Sequence, residues 1–284
     1  MWTDGLLEWF TTSGRHELPW RQTTDPWAVL VSEVMLQQTS VSRVLPRWER
    51  FLQRWPDAGA CAAEPLDQVL REWQGLGYPR RARWLWLTAA RVTSSGWPTD
   101  EAGLRALPGV GAYTARALLA FSDLGQTTCT EALPPRDVNI GRVAARAALG
   151  REPWEVAASV LDGVVRDAQP SAMPVRDYAY ALFDVGALHC RATPRCPGCA
   201  LSSGCAFRSG GIRAVRHRPA APYRGSLRQL RGAILAAALA DPQAERSSLL
   251  EAVRSLPGAT PERCEDAWGG LVADGLLGNS RSPR

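Results

Sequence analysis

Four cysteines crowded into one short loop constrain this chain more than any other feature. They are Cys190, Cys196, Cys199 and Cys205, in HCRATPRCPGCALSSGC. The spacing, C-x5-C-x2-C-x5-C, is compact enough for one metal centre with four thiolates, which would pin the backbone at four points. No apolar run reaches the roughly 18 residues that a membrane span needs. The N-terminal MWTDGLLEWF has an early acid and no basic run, unlike a signal peptide. A cytoplasmic protein is therefore expected, where thiols stay reduced and clustered cysteines read as metal ligands before disulfides. Zinc usually takes two separated CxxC knuckles. A single CxxC flanked by lone cysteines also suits a cubane iron–sulfur cluster, and spacing alone leaves both open. Cys61, Cys129 and Cys264 read as core or incidental residues.

The rest of the sequence predicts helices. In DPWAVLVSEVMLQQ, Asp25 is placed to cap a helix and Pro26 to take its first position. Trp27, Leu30, Val31, Val34 and Met35 then recur at the helical period. PLDQVLREWQGLG, EAGLRALPGVG, AYTARALLAF, NIGRVAARAAL and PWEVAASVLDGVV follow the same logic, most of them bounded by Gly or Pro. Alternating strand patterns are almost absent, so the fold is read as all-α. After Cys205, FRSGGIRAVRHRPAAPYRGS reads as a linker, set at 209–224. LRQLRGAILAAAL, SSLLEAV and CEDAWGGLVADGLL then predict a small helical module over 225–284.

Two motifs and two carboxylates point to chemistry. In LPGVGAYTAR (107–116), Gly109 and Gly111 permit a tight hairpin and close approach of a ligand to backbone N–H groups. The helix that follows offers free N–H donors to a phosphate. Together these describe a helix-hairpin-helix clamp on a DNA backbone. Glu33 falls on the polar side of its helix, and periodicity alone makes it a surface residue. Asp137, in RDVNIGRV, could cap the helix after it. The net charge of +5 is compatible with nucleic-acid binding. Every basic charge among the 33 Lys and Arg positions is arginine, since the sequence contains no lysine. No lysine amine is therefore available to form a Schiff base.

SEVMLQQT, GLGYPRRAR, LPGVGAYTAR, DVNIGRV and the four-cysteine loop occur together, in this order. Over about residues 5–208 the chain resembles the adenine DNA glycosylases of the MutY type, in the helix-hairpin-helix superfamily of endonuclease III. The resemblance implies a two-domain fold. A cluster domain is expected from 1–15 and 136–208, a six-helix domain carrying the hairpin from 16–135, and DNA in the groove between them. It implies that Cys190, Cys196, Cys199 and Cys205 hold a [4Fe–4S] cluster, with Arg191 and Arg195 facing DNA. Glu33 matches the general acid that protonates adenine. Asp137 matches the carboxylate that stabilises the cationic sugar, and Asn139 its hydrogen-bonding neighbour. Tyr78 matches the residue wedged beside 8-oxoguanine. Gln38, Thr39 and Leu76 match residues that fill or border the gap left by the flipped base, and Trp20 and Arg21 match pocket walls. Tyr113 stands where the lyase branch carries its Schiff-base lysine, so a monofunctional enzyme is expected. Its implied partner is double-stranded DNA with an A:8-oxoG or A:G mispair. It should act as a monomer, in a bacterial cytoplasm near the nucleoid.

The chain departs from the family pattern in places. The first cysteine interval is five residues rather than six. TTCTEALPPR, before Asp137, is longer and more polar than usual. Pro79 replaces a common second tyrosine. The tail is too short for the Nudix-like domain of larger relatives and suggests a small winged-helix-like module instead. Two rival readings are a thymine or uracil mismatch glycosylase of the same superfamily, and a non-catalytic DNA-binding iron–sulfur redox sensor.

Overall fold

The computed structural model describes residues 1–127, 133–211 and 222–278. Residues 128–132, with Cys129 and much of the long segment before Asp137, lie outside the described residues. So do 212–221 of the linker and 279–284. Among the described residues every regular element is a helix: α1 (Leu6–Ser13), α2 (Pro26–Leu36), α3 (Val41–Arg54), α4 (Ala58–Ala62), α5 (Leu66–Glu72), α6 (Arg80–Ser95), α7 (Glu101–Arg105), α8 (Ala112–Phe121), α9 (Val138–Leu149), α10 (Ala158–Asp167), α11 (Val175–Leu188), α12 (Ala206–Ser209), α13 (Leu227–Ala240), α14 (Arg246–Glu251) and α15 (Pro261–Ala273). Short 3-10 turns cover Pro19–Arg21, Asp123–Thr127 and Pro153–Glu155. None of these helices is long and apolar enough to cross a membrane.

Contacts divide the chain into two units. The first comprises Met1–Val29, Thr99–Arg105 and Val110–Arg218. Its centre is the packing of α9 on α11. Gly141, Ala144, Ala145 and Ala147 of α9 and Tyr178, Leu182 and Val185 of α11 are all buried. Asp25 starts α2 as the sequence predicts. Its carboxylate accepts from the backbone N–H groups of Ala28 at 2.9 Å and Trp27 at 3.3 Å. Asp184, fully buried on α11, ties the N-terminal segment down. Arg21 donates to both its oxygens at 2.8 Å, and Arg15 adds a side-chain bond at 2.6 Å and a backbone bond at 2.9 Å. Burial by itself would raise the Asp184 pKa, but the Arg21 and Arg15 contacts outweigh it and hold the carboxyl below its ordinary value.

The second unit comprises Leu30–Pro98, Ala106–Gly109 and Pro219–Arg284. Its core is aromatic: Phe51 meets Trp55 edge-on at 4.7 Å and Trp73 at 6.3 Å, and all three are buried. Burying one side chain of this kind contributes about 1.5–3 kcal/mol. The C-terminal module belongs to this unit, packing α13 against α15 and against α5. Ser226 caps α13 and Thr260 caps α15. Asp274 accepts from Arg80 of α6 at 3.3 Å and also pairs with Arg231 of α13. Every regular element of the module's described residues is a helix, with no strand to form the wing that a winged-helix reading implies.

Arg81 organises this unit. It is only 5% exposed, yet it lies on the inner face of α6 with Ala82, Leu85, Ala89 and Val92. Its Nη1 donates to the carbonyls of Val34 at 2.6 Å, Gln37 at 2.6 Å and Met35 at 3.2 Å. These lie at the C-terminal end of α2, where carbonyls lack helical partners and the dipole favours a cation. Its Nη2 donates to the Leu76 and Gly77 carbonyls, both at 3.0 Å. One guanidinium thus fastens the end of SEVMLQQT to the GLGY turn. Desolvation is the dominant influence on it and lowers its pKa to about 10, so it stays charged at neutral pH.

Arg81→Ala is expected to destabilise the protein by at least about 3 kcal/mol, because several buried carbonyls lose their donor together. Arg81→Met restores bulk but no donors, and its midpoint in urea should stay near that of the alanine variant. A methionine variant close to wild type would show that packing, not hydrogen bonding, is what Arg81 supplies.

Candidate active site and cysteine centre

Asp137 is the N-cap of α9, as its position before VNIGRV allows. One oxygen accepts from the backbone N–H groups of Asn139 and Ile140, both at 2.8 Å. The other accepts from the Asn139 side-chain amide at 2.6 Å. The Asn139 carbonyl oxygen in turn accepts from Arg142 Nη2 at 2.8 Å. Arg142 continues the chain of bonds to the carbonyls of Gly186 at 3.1 Å and Cys190 at 2.5 Å. The carboxylate is therefore connected, through two side chains, to the first residue of the cysteine loop. Burial pushes the Asp137 pKa above its ordinary value, and its hydrogen bonds and the Arg142 charge only partly counter that. The capping bonds and the Asn139 amide fix the carboxylate's direction.

Gly186 makes this arrangement possible. A Cβ at that position would come within 2.7 Å of the Asn139 Cβ. The absence of a side chain on α11 is what lets Asn139 sit between α9 and α11 and face Asp137.

Glu33 is 6% exposed, and it lies within nine consecutive buried residues, Trp27 to Met35. The surface position implied by periodicity is thus corrected. A helix packed on all sides has no wet face, and Glu33 is a buried carboxyl. After α2 the chain turns through Gln38, with φ +55°. Thr39 Oγ1 donates to the Leu76 carbonyl at 3.3 Å and accepts from Arg81 Nη2 at 3.3 Å. Leu76 is buried, and Tyr78, at φ +49°, is 38% exposed. Gln38, Thr39, Leu76 and Tyr78 are thereby brought together on one edge. Non-glycine residues at positive φ carry strain of about 1–3 kcal/mol each, and two of them flank this edge.

Gly109, in the hairpin, has φ +73°, and a Cβ there would meet Trp84 Cβ at 2.7 Å. Any side chain would be both strained and crowded. Gly111 caps α8 with nothing within 4 Å of where a Cβ would lie, so its backbone is open to close approach. Tyr113, in the first turn of α8, presents its ring edge-on to Phe183 at 6.5 Å. Trp20 is buried on its 3-10 turn. Arg21 is held by Asp184 and lies 4.4 Å from the Tyr180 ring centroid.

The four loop cysteines line one cavity of about 30 Å³ together with Val143, Arg146, Leu201 and Phe207. Among the described residues no group of three or more His, Cys, Asp or Glu converges closely enough to hold a metal ion. The thiols surround a shared space without closing on one point. Desolvation, first, and the neighbouring cysteines then push the Cys199 thiol up to about 11, against a hydrogen bond from Leu201. Arg146, which no sequence motif marks, braces the loop. It pairs with Glu152 through bonds of 2.8 and 3.1 Å, donates to the carbonyl of Arg191 at 2.6 Å, and lies 4.0 Å from Cys190 Sγ. Arg191 and Arg195 are exposed on the loop.

These features, a helix-hairpin-helix, a capped aspartate and a four-cysteine loop in an all-α fold, define a class of DNA repair proteins. The profile of the HhH-GPD superfamily of base excision DNA repair proteins matches residues 31–159. An adenine DNA glycosylase of Mycolicibacterium smegmatis is 38% identical over 278 residues, covering 96% of this chain and 91% of the relative. Two solved structures share the fold at low identity. One, a thermostable thymine-DNA glycosylase, has a TM-score of 0.62 at 23% identity, over 73% of this chain and 95% of its own. The other, a non-covalent endonuclease III–DNA complex, has a TM-score of 0.58 at 20% identity, over 73% and 94%. The chain belongs to the HhH-GPD superfamily, and within it to the family of adenine DNA glycosylases.

Gly186→Ala is expected to cost about 1–3 kcal/mol, the usual penalty for overpacking. Calorimetry on the variant measures it, and a melting temperature equal to wild type would mean that α9 and α11 separate freely.

Proposed function

We propose that the chain is a monofunctional adenine DNA glycosylase of base excision repair, acting on adenine paired with 8-oxoguanine or guanine in double-stranded DNA. The observation that carries this reading is the near end-to-end match to an adenine DNA glycosylase in a chain that buries Glu33 within SEVMLQQT. Adenine is a poor anionic leaving group. A buried carboxyl on α2 is placed to serve as the general acid that gives a proton to the base as the glycosidic bond breaks. The sugar left behind carries positive charge. Asp137, fixed by its capping bonds and by Asn139, is suited to offset that charge. The target base must leave the stack, which costs a few kcal/mol. Gln38, Thr39, Leu76 and Tyr78 form an edge suited to occupying the space it vacates, with Tyr78 beside the opposite base. Trp20, Arg21 and Tyr113 are assigned to the pocket, and Gly109 and Gly111 to the phosphate clamp. The sequence offers no lysine, so base removal leaves an intact strand with an abasic site. The protein acts as a monomer.

Cys190, Cys196, Cys199 and Cys205 are the residues that would hold a [4Fe–4S] cluster, which supplies a rigid, redox-competent brace for the loop. Membership of the adenine DNA glycosylase family favours this group over zinc. One tetrahedral ion draws all four sulfurs to about 2.3 Å from a single centre, whereas a cubane takes one thiolate per iron. About four irons per chain are expected in protein prepared without oxygen. One zinc and no iron would remove the cluster.

The deciding experiment is single-turnover excision on A:8-oxoG, A:G, T:G and U:G duplexes, with and without hot alkali. Adenine should be lost from the first two, with strand scission only after alkali. Loss of thymine or uracil instead would favour the mismatch-glycosylase reading, and loss of no base the redox-sensor one. Glu33→Gln should lower excision by at least about 10²-fold while duplex affinity stays within about threefold, the scale of a lost general acid. Asp137→Asn should do likewise while keeping its helix cap and a melting temperature near wild type. Excision by either variant within threefold of wild type would remove that residue from the mechanism.

A further inference from the structure

The C-terminal module reaches the recognition edge through Arg228. Arg228, exposed near the start of α13, donates through Nη1 to the Tyr78 hydroxyl at 2.9 Å. The two residues are 150 positions apart in sequence. The module is held in register for this contact by Asp274, which pairs with Arg80 on α6 and Arg231 on α13, and by the packing of α13 on α5. Tyr78 cannot easily move away. Arg81 bonds the carbonyls on its N-terminal side, and its own backbone is in the left-handed region.

We infer that Arg228 is a specificity-positioning residue, through which the C-terminal module tunes recognition of the base opposite adenine. The inference rests on the proposed function, in which Tyr78 lies beside that base. A phenolic oxygen that accepts from a guanidinium keeps its own O–H as a donor and has that donor turned away from the cation. 8-Oxoguanine carries a carbonyl at C8, an acceptor, where guanine has only C–H. A fixed, polarised O–H donor therefore favours the oxidised base. In the free protein the contact is exposed and worth little. Covered by DNA it is desolvated, and charge-assisted bonds strengthen when water is excluded. The helical module of 225–284 can in this way contribute to opposite-base selectivity through Arg228.

The test measures single-turnover excision on A:8-oxoG and A:G duplexes for wild type, Arg228→Ala, Arg228→Lys, Tyr78→Phe and the Arg228→Ala/Tyr78→Phe double variant. The A:8-oxoG to A:G rate ratio should fall about tenfold in Arg228→Ala, the scale of one charged hydrogen bond, and recover in part in Arg228→Lys. In the Tyr78→Phe background, removing Arg228 should change the ratio less than twofold, because its acceptor is already gone. An equal loss on both duplexes would make Arg228 a phosphate contact and overturn the inference. So would an unchanged ratio, a wild-type ratio near one, or additive effects in the double variant. Wild-type protein that removes adenine from neither duplex would instead overturn the proposed function itself.

Discussion

The Arg81 guanidinium is the interaction on which the second unit depends. A buried cation is costly, and here carbonyl dipoles compensate it. Three belong to the end of α2 and two to the turn before α6. Those same two segments carry Glu33 and Tyr78. The arginine therefore fixes both ends of the motif-bearing part of the unit. In the first unit Arg146 plays the matching part, satisfying carbonyls of the cysteine loop while its charge is met by Glu152. In both cases the planar, forked geometry of arginine matters, because a lysine ammonium cannot span so many acceptors.

Much of the fold is legible in the sequence because its signals are local. Asp25 and Pro26 begin α2, Asp137 begins α9, and Gly109 makes the hairpin turn, each for reasons contained within a few residues. The all-helical class follows from the same kind of signal. Glu33 defeats its periodicity for a physical reason. A helical period separates a wet face from a dry one only when the helix lies at a surface, and α2 is buried at every position from Trp27 to Met35.

The two bracing arginines are not legible, since their acceptors come from distant parts of the chain. A signal is nonetheless present. Arg81 keeps step with Leu85, Thr88 and Val92 on α6, and Arg146 follows Val143 by one turn of α9, so each is a charge on an apolar stripe. The tie between Arg228 and Tyr78 is equally hidden. Composition describes the C-terminal module as small and helical, but not what it touches. Its expected wing has no counterpart among the described residues, because the chain there forms helices closed by Ser226 and Thr260 caps.

The left-handed residues Gln38 and Tyr78 have a further consequence for binding. Their strain is incurred when the protein folds and is held there by the Thr39–Leu76 bond and by Arg81. Less backbone order remains to be gained in this edge when it meets a partner surface. Docking then resembles the meeting of two preformed surfaces, in which little conformational entropy is lost.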